Sequence, residues 1–112
     1  MKGISALVLC AALLAPGAAF AGWGAIAYNS ATGVSSEAHG YGSLGAAERA
    51  ALHACGGSCR IMNWEQNSCI AFATNGRGAW GEAHGYGNSN AAVAAAISAC
   101  GAGCSWQEWA CS

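Results

Sequence analysis

The hexapeptide Glu-Ala-His-Gly-Tyr-Gly occurs twice, at residues 37–42 and 82–87, and the forty-five-residue offset between its copies constrains the fold more than any other feature. Other landmarks keep that offset. Cys55 and Cys59 recur as Cys100 and Cys104, and Trp64 recurs as Trp109. Upstream, Ile26-Ala27-Tyr28 matches Ile70-Ala71-Phe72 with a one-residue slip, and Cys69 and Cys111 close their halves at slightly different spacing. Independent landmarks at one period mark an internal duplication, and two copies are too few for a solenoid. The halves, about 23–68 and 69–112, must therefore pack on each other.

Each half reads strand, strand, helix, strand. Gly24 to Tyr28 is a short apolar strand, and Asn29 to Gly33 carries turn chemistry. Val34 to Tyr41 alternates with period two through the motif. Ser43 can cap a helix whose stripe is Ala47, Ala50, Ala51, Ala54 and Cys55, and Gly56-Gly57 ends it. Arg60 to Trp64 makes the last strand. The second half predicts strands near 69–74 and 78–86, a helix from about 90 to 100 and a strand over 104–110. Ala92, Ala95, Ala96, Ala99 and Cys100 repeat the small-residue stripe, while Ala38, Gly40, Gly42, Ala83, Gly85 and Gly87 are small on one face of the motif strands. Small against small brings helix and sheet backbones close.

The first residues have the form of a secretory signal: Lys2, an apolar run from Ile4 to Leu14 too short to span a bilayer, a Pro16-Gly17 break and Ala19-Phe20-Ala21. Residues 1–21 are expected to be cleaved between Ala21 and Gly22, leaving a secreted or periplasmic domain over 22–112 with no membrane insertion. In that domain three arginines face five glutamates, a formal net charge of −2, and aspartate is absent. So few cations exclude nucleic acid as a partner, because displacing its counterions needs clustered positive charge. Six cysteines remain (Cys55, Cys59, Cys69, Cys100, Cys104 and Cys111), an even count that in a short exported chain means three disulfides. Zinc held by two C-x3-C pairs is the alternative that an oxidising compartment disfavours.

Ionisable side chains gather only in the motif. Alternate strand residues share a face, so Glu37, His39 and Tyr41 project together, as do Glu82, His84 and Tyr86. Were the two strands side by side, these residues could hold a divalent metal such as zinc, or run acid–base chemistry on a carboxylate-oriented imidazole. A half-solvated polar sheet face accounts for the same pattern without any function. No nucleophile elbow or H-E-x-x-H helix is present, and a chain without aspartate has no aspartate triad. A paired-glutamate glycosidase would have to use Glu37 with Glu82, or Glu65 with Glu108. No cofactor is expected, and the balance leans away from an enzyme.

Five tryptophans favour binding over chemistry, since an exported domain can stack sugars or anchor a protein on them. Trp64 and Trp109, duplicated and next to cysteines, are expected in the core. Trp80 has no counterpart in the first half and is the candidate surface aromatic. Where the first helix carries Glu48, Arg49 and His53, the second has Val93, Ala94 and Ser98. With Ile97 this makes the second helix apolar nearly all round, covered by the other half or by a homodimer partner through Val93 and Ile97.

Trp23-Gly-Ala-Ile-Ala-Tyr28, the helix Ala47 to Cys55, the Gln66-Asn-Ser-Cys69 step and the closing Trp109-Ala-Cys-Ser112 resemble the exported bacterial proteins called domain of unknown function 4189. The resemblance implies export and a small disulfide-bonded α+β domain, assigns no activity, and carries over the six cysteines as structural residues. The Glu-x-His-x-Tyr faces match no motif of that family.

The expected fold is α+β: two strand-strand-helix-strand repeats about a pseudo-twofold axis, with alanine-rich helices on one face of an antiparallel sheet. Of fifteen disulfide connectivities, symmetry favours Cys55–Cys59 and Cys100–Cys104 as local clamps, with Cys69–Cys111 tying the halves. The expected function is a non-catalytic module binding a protein or glycan. The alternative is a metal or hydrolytic site on the paired Glu-x-His-x-Tyr strands.

Overall fold

In the computed structural model, which describes residues 22–112, the chain runs β1 (Trp23–Tyr28), β2 (Ser35–Tyr41), α1 (Leu44–Cys55), β3 (Arg60–Gln66), β4 (Cys69–Thr74), β5 (Trp80–Tyr86), α2 (Ser89–Cys100) and β6 (Ser105–Cys111). The expected leader lies outside the described residues. The helices begin and end where their chemistry dictates. Ser43 Oγ accepts from Ala46 N–H at one N-terminus and Asn88 Oδ1 from Ala91 N–H at the other. Gly56 and Gly101, at φ of 101° and 104°, return their N–H groups to Leu52 and Ile97.

The strands form two antiparallel three-stranded sheets, β2-β1-β3 and β5-β4-β6, where one sheet was expected. The middle strands explain the difference. Ala25 and Ala27 of β1 pack with Ala38 beneath Ala47, Ala51 and Cys55 of α1, and Ala71 and Ala73 of β4 do the same with Ala83 beneath Ala92 and Ala96 of α2. The opposite faces carry Ile26 and Tyr28 from β1 and Ile70 and Phe72 from β4, which with Ala110 form a third buried cluster. A strand that is apolar on both faces needs cover on both. The sheets therefore stack face to face, each with its helix outside, and burying the three largest enclosed side chains (Phe72, Ile26 and Ile70) drives that stacking.

Polar groups clip the seam between the sheets. The buried Asn63 donates through Nδ2 to Ala71 O and Ala83 O in the facing sheet, at 3.3 and 3.0 Å, while its Oδ1 accepts from Trp64 N–H. Ser35 Oγ donates to Glu108 Oε1 at 2.7 Å on the other side.

All three disulfides are present as Cys55–Cys59, Cys69–Cys111 and Cys100–Cys104. Cys69–Cys111 does not tie the halves, however. It joins directly paired residues of β4 and β6 within one sheet. The first strands also register differently from the sequence match: Ile26 pairs with Glu37 and Phe72 with Glu82, so relative to the motif Ile26 corresponds to Phe72, not Ile70. Helix α2 packs on β4, β5 and β6 of its own sheet. Val93 and Ile97 are half-buried against that core, and the outer side presents Ala94 and Ser98, so cover from the other half is not what hides its apolar residues.

Candidate functional site

The motif strands β2 and β5 lie at sheet edges, and stacking sets β2 against β6 and β5 against β3. Each copy of the motif therefore faces the last strand of the other half, at opposite edges of the sandwich. His39 Nδ1 donates to Glu37 Oε1 at 2.8 Å, and His84 Nδ1 to Glu82 Oε1 at 3.1 Å, as i, i+2 neighbours on one strand face. The first pair opens on a groove of about 380 Å³ shared with Trp106, Glu108 and Trp109. The second opens on one of about 180 Å³ with Met62, Asn63 and Trp64. Tyr41 and Tyr86 stand exposed at the strand ends.

The Glu and His side chains of the motif thus form two separate pairs, and a register slip between Ala38 and Tyr41, repeated between Ala83 and Tyr86, breaks the alternation expected to put the tyrosines on the same faces. Among the described residues no group of three or more His, Cys, Asp or Glu side chains is placed to hold a metal ion. Glu37 and Glu82 stand on opposite edges and cannot flank one scissile bond. Glu108 is engaged by Ser35, and Glu65 is buried at only 3% exposure, so the second candidate glutamate pair has one member away from any cleft.

Glu65 is the unusual carboxyl. Its side chain lies where Gly24 has none: a Cβ on Gly24 would collide with Glu65 Oε2 and meet Ala38 O at 2.9 Å. Oε1 accepts from Ser68 N–H at 3.1 Å, but the buried Oε2 has no hydrogen bond of ordinary geometry. The nearby Ser112 hydroxyl accepts from Gly40 N–H. Burial pushes the Glu65 carboxyl above its ordinary range, opposed by the Ser112 hydroxyl, the Ser68 N–H and the charge of His39. At the corresponding place between β4 and β6 the pair is Ile70 and Ala110, which is simply apolar.

A further cavity lies at the other end of the sheets, about 250 Å³ between Tyr28, Met62, Phe72 and Trp80, with Arg60, Ser30, Thr74, Gly76 and Gly78 at its walls. Tyr28 and Phe72 touch with ring centroids 4.9 Å apart, and Phe72 and Trp80 at 6.1 Å, which makes a continuous aromatic floor. Trp80 is 51% exposed above it, as expected of a surface aromatic. Trp64 and Trp109, expected in the core, are instead 50% and 41% exposed. They lie on the helix side of their sheets, but on edge strands that the helices cover only in part. Sequence reasoning missed Arg60, Tyr28 and Phe72 as site residues. The available signal was that Tyr28 ends β1, Arg60 starts β3, Thr74 ends β4 and Trp80 starts β5, so antiparallel pairing joins Tyr28 with Arg60 and Thr74 with Trp80, and sheet stacking brings the two pairs together.

A family model described as Domain of unknown function (DUF4189) matches residues 23–111. The chain belongs to this family. That span takes in every strand, both helices and all six cysteines of the DUF4189 domain. No curated protein and no solved structure matches it. None of its helices described here is long and apolar enough to cross a membrane.

Proposed function

We propose that this DUF4189 chain is an exported, non-catalytic binding module of the bacterial envelope or secretome, and that it takes a glycan in the aromatic end cavity. The observation that carries this reading is Trp80, half-exposed over the Tyr28–Phe72 floor beside Arg60. The apolar C–H face of a pyranose can lie on such a ring while its hydroxyls meet Ser30 and Arg60, and about 250 Å³ suits one sugar ring better than a protein surface. The test is a titration of soluble envelope and plant polysaccharide fragments into oxidised protein, followed at the Trp80 indole N–H by NMR. Saturable shifts that vanish in Trp80→Ala support the reading; a panel that leaves that resonance in place defeats it.

Export and cleavage between Ala21 and Gly22 belong to the same proposal, supported by the leader pattern and by disulfides that favour an oxidising compartment. Duplication about a pseudo-twofold axis is the inferred origin of the paired sheets, supported by the repeated hexapeptide and the same strand order in each half. The metal or hydrolytic alternative has the two Glu–His contacts in its favour, each on its own edge. Unchanged zinc affinity in His39→Ala with His84→Ala would end it. A homodimer through Val93 and Ile97 draws less support, because both are already half-buried against their own sheet.

A further inference from the structure

We propose that the end cavity selects an acidic sugar, a pyranose bearing a carboxylate, with Arg60 as the residue that reads the acid; this rests on the end cavity being a glycan site. The argument is one of charge placement. Among the described residues, Arg60 is the only charged side chain on the cavity wall. No glutamate lines it: Glu37 and Glu108 line one edge groove, Glu82 the other, which adjoins the cavity at Met62, Glu65 is buried, and Glu48 lies on α1. Among the described residues the ion pairs are His39–Glu37 and His84–Glu82, so Arg60 has no internal carboxylate to satisfy it. A guanidinium left beside an aromatic floor is a fork without its partner, and carboxylate is the group whose geometry it matches with two parallel hydrogen bonds.

The neighbouring turn adds charge of the same sign. Arg77 sits between Gly76 and Gly78, both of which line the cavity, and Asn75 Oδ1 braces this turn by accepting from Arg77 N–H at 2.7 Å and Ala79 N–H at 3.1 Å. Two of the described chain's three arginines therefore stand at one end of a molecule whose net charge is negative, and the ion pairs among the described residues engage neither of them. Positive charge on the cavity wall without an internal ion pair favours an anionic ligand there over a cationic one. Trp80 supplies the surface for the sugar ring, and Arg60 the discrimination between a sugar and its acid.

The experiment compares glucuronic, galacturonic and mannuronic acids with glucose, galactose and mannose, using oxidised full-length mature protein and the Trp80 indole N–H, assigned through Trp80→Phe. At least one uronate is expected to bind roughly five-fold tighter than its hexose, an exposed charge-assisted contact. The preference should disappear in Arg60→Gln and fade at about 0.5 M salt, where exposed charges are screened. Equal binding of uronate and hexose, or a preference that survives Arg60→Gln, overturns the assignment while leaving the glycan site standing. If none of these sugars moves the Trp80 resonance, the glycan reading fails and this inference with it.

Discussion

Replacing Gly81 by alanine tests how the second helix is seated on its sheet. Gly81 lies in β5 against the last turns of α2, and an added Cβ would overlap the backbone nitrogen of Cys100 while lying 2.6 Å from Ala96 O and 2.8 Å from Ala99 C. All three are main-chain atoms of one helix, so no side-chain rotation can relieve the overlap. To restore ordinary contact, α2 would have to lift by about 1 Å, enough to forfeit a quarter to a half of the dispersion energy at the facing surface. That surface is the fully buried pair Ala92 and Ala96 over Ala71 and Ala73. Overpacking of this kind costs about 3 kcal/mol, the upper end of its usual range, which lowers Tm by roughly 12–20 °C in a domain of this size. Ser36 is the internal comparison, for its hydroxyl donates to Ala51 O in α1 at the place where Gly81 approaches Ala96 O. Ser36→Ala should cost only about 1 kcal/mol, one hydrogen bond. Guanidinium unfolding with disulfides intact, followed by far-ultraviolet circular dichroism, measures both. A Gly81→Ala protein within about 0.5 kcal/mol of the parent would refute the close helix–sheet contact.

Other perturbations separate the remaining claims. The Glu65 carboxyl is held above its ordinary value of 4.5 by burial. The folded state therefore binds more protons than the unfolded one just above that pH, and this group's contribution to stability is lost as pH rises through the folded value. Glu65→Gln should flatten that fall and leave the protein more stable than the parent at pH 7; urea titrations in which parent and Glu65→Gln run parallel across the acid range would refute the raised carboxyl. Removing Cys69–Cys111 by paired alanine substitutions opens a loop of sequence separation 42 and should cost about 4 kcal/mol, against about 2 kcal/mol for either clamp of separation 4, in equilibrium denaturation. Asn63→Ala leaves two seam carbonyls without their donor and should cost about 2 kcal/mol, whereas His39→Ala should change stability by less than about 0.5 kcal/mol.

Helix positions, the order of elements and the two local disulfides were legible because each has a local sign: a cap at Ser43, an alanine stripe from Ala47 to Cys55, a glycine stop at Gly56 and a repeated C-x3-C spacing. The stacking of two sheets was not. Its face is built from only a few side chains, chiefly Ile26, Tyr28, Ile70 and Phe72, set among alanines whose small size serves the helix layer. Period-two alternation tells which face a residue takes but not its place across the sheet. That is why Trp64 and Trp109, on the helix faces, were expected in the core and instead stand half-exposed on edge strands that the helices cover only in part. The same limit hid the end cavity, whose members come from four strands of two sheets and meet only when antiparallel register is combined with sheet stacking.

Each disulfide closes within one half of the chain, Cys55–Cys59 in the first and Cys69–Cys111 with Cys100–Cys104 in the second. The peptide link through Asn67 and Ser68 is then the sole covalent joint between the sheets, and a single proteolytic cut there would give two fragments that part in denaturant without any reductant. Neither half needs a cysteine from the other to oxidise. A bridge formed early on one sheet therefore cannot trap the other in a wrong register, and the apolar seam can be broken and remade until the two sheets fit.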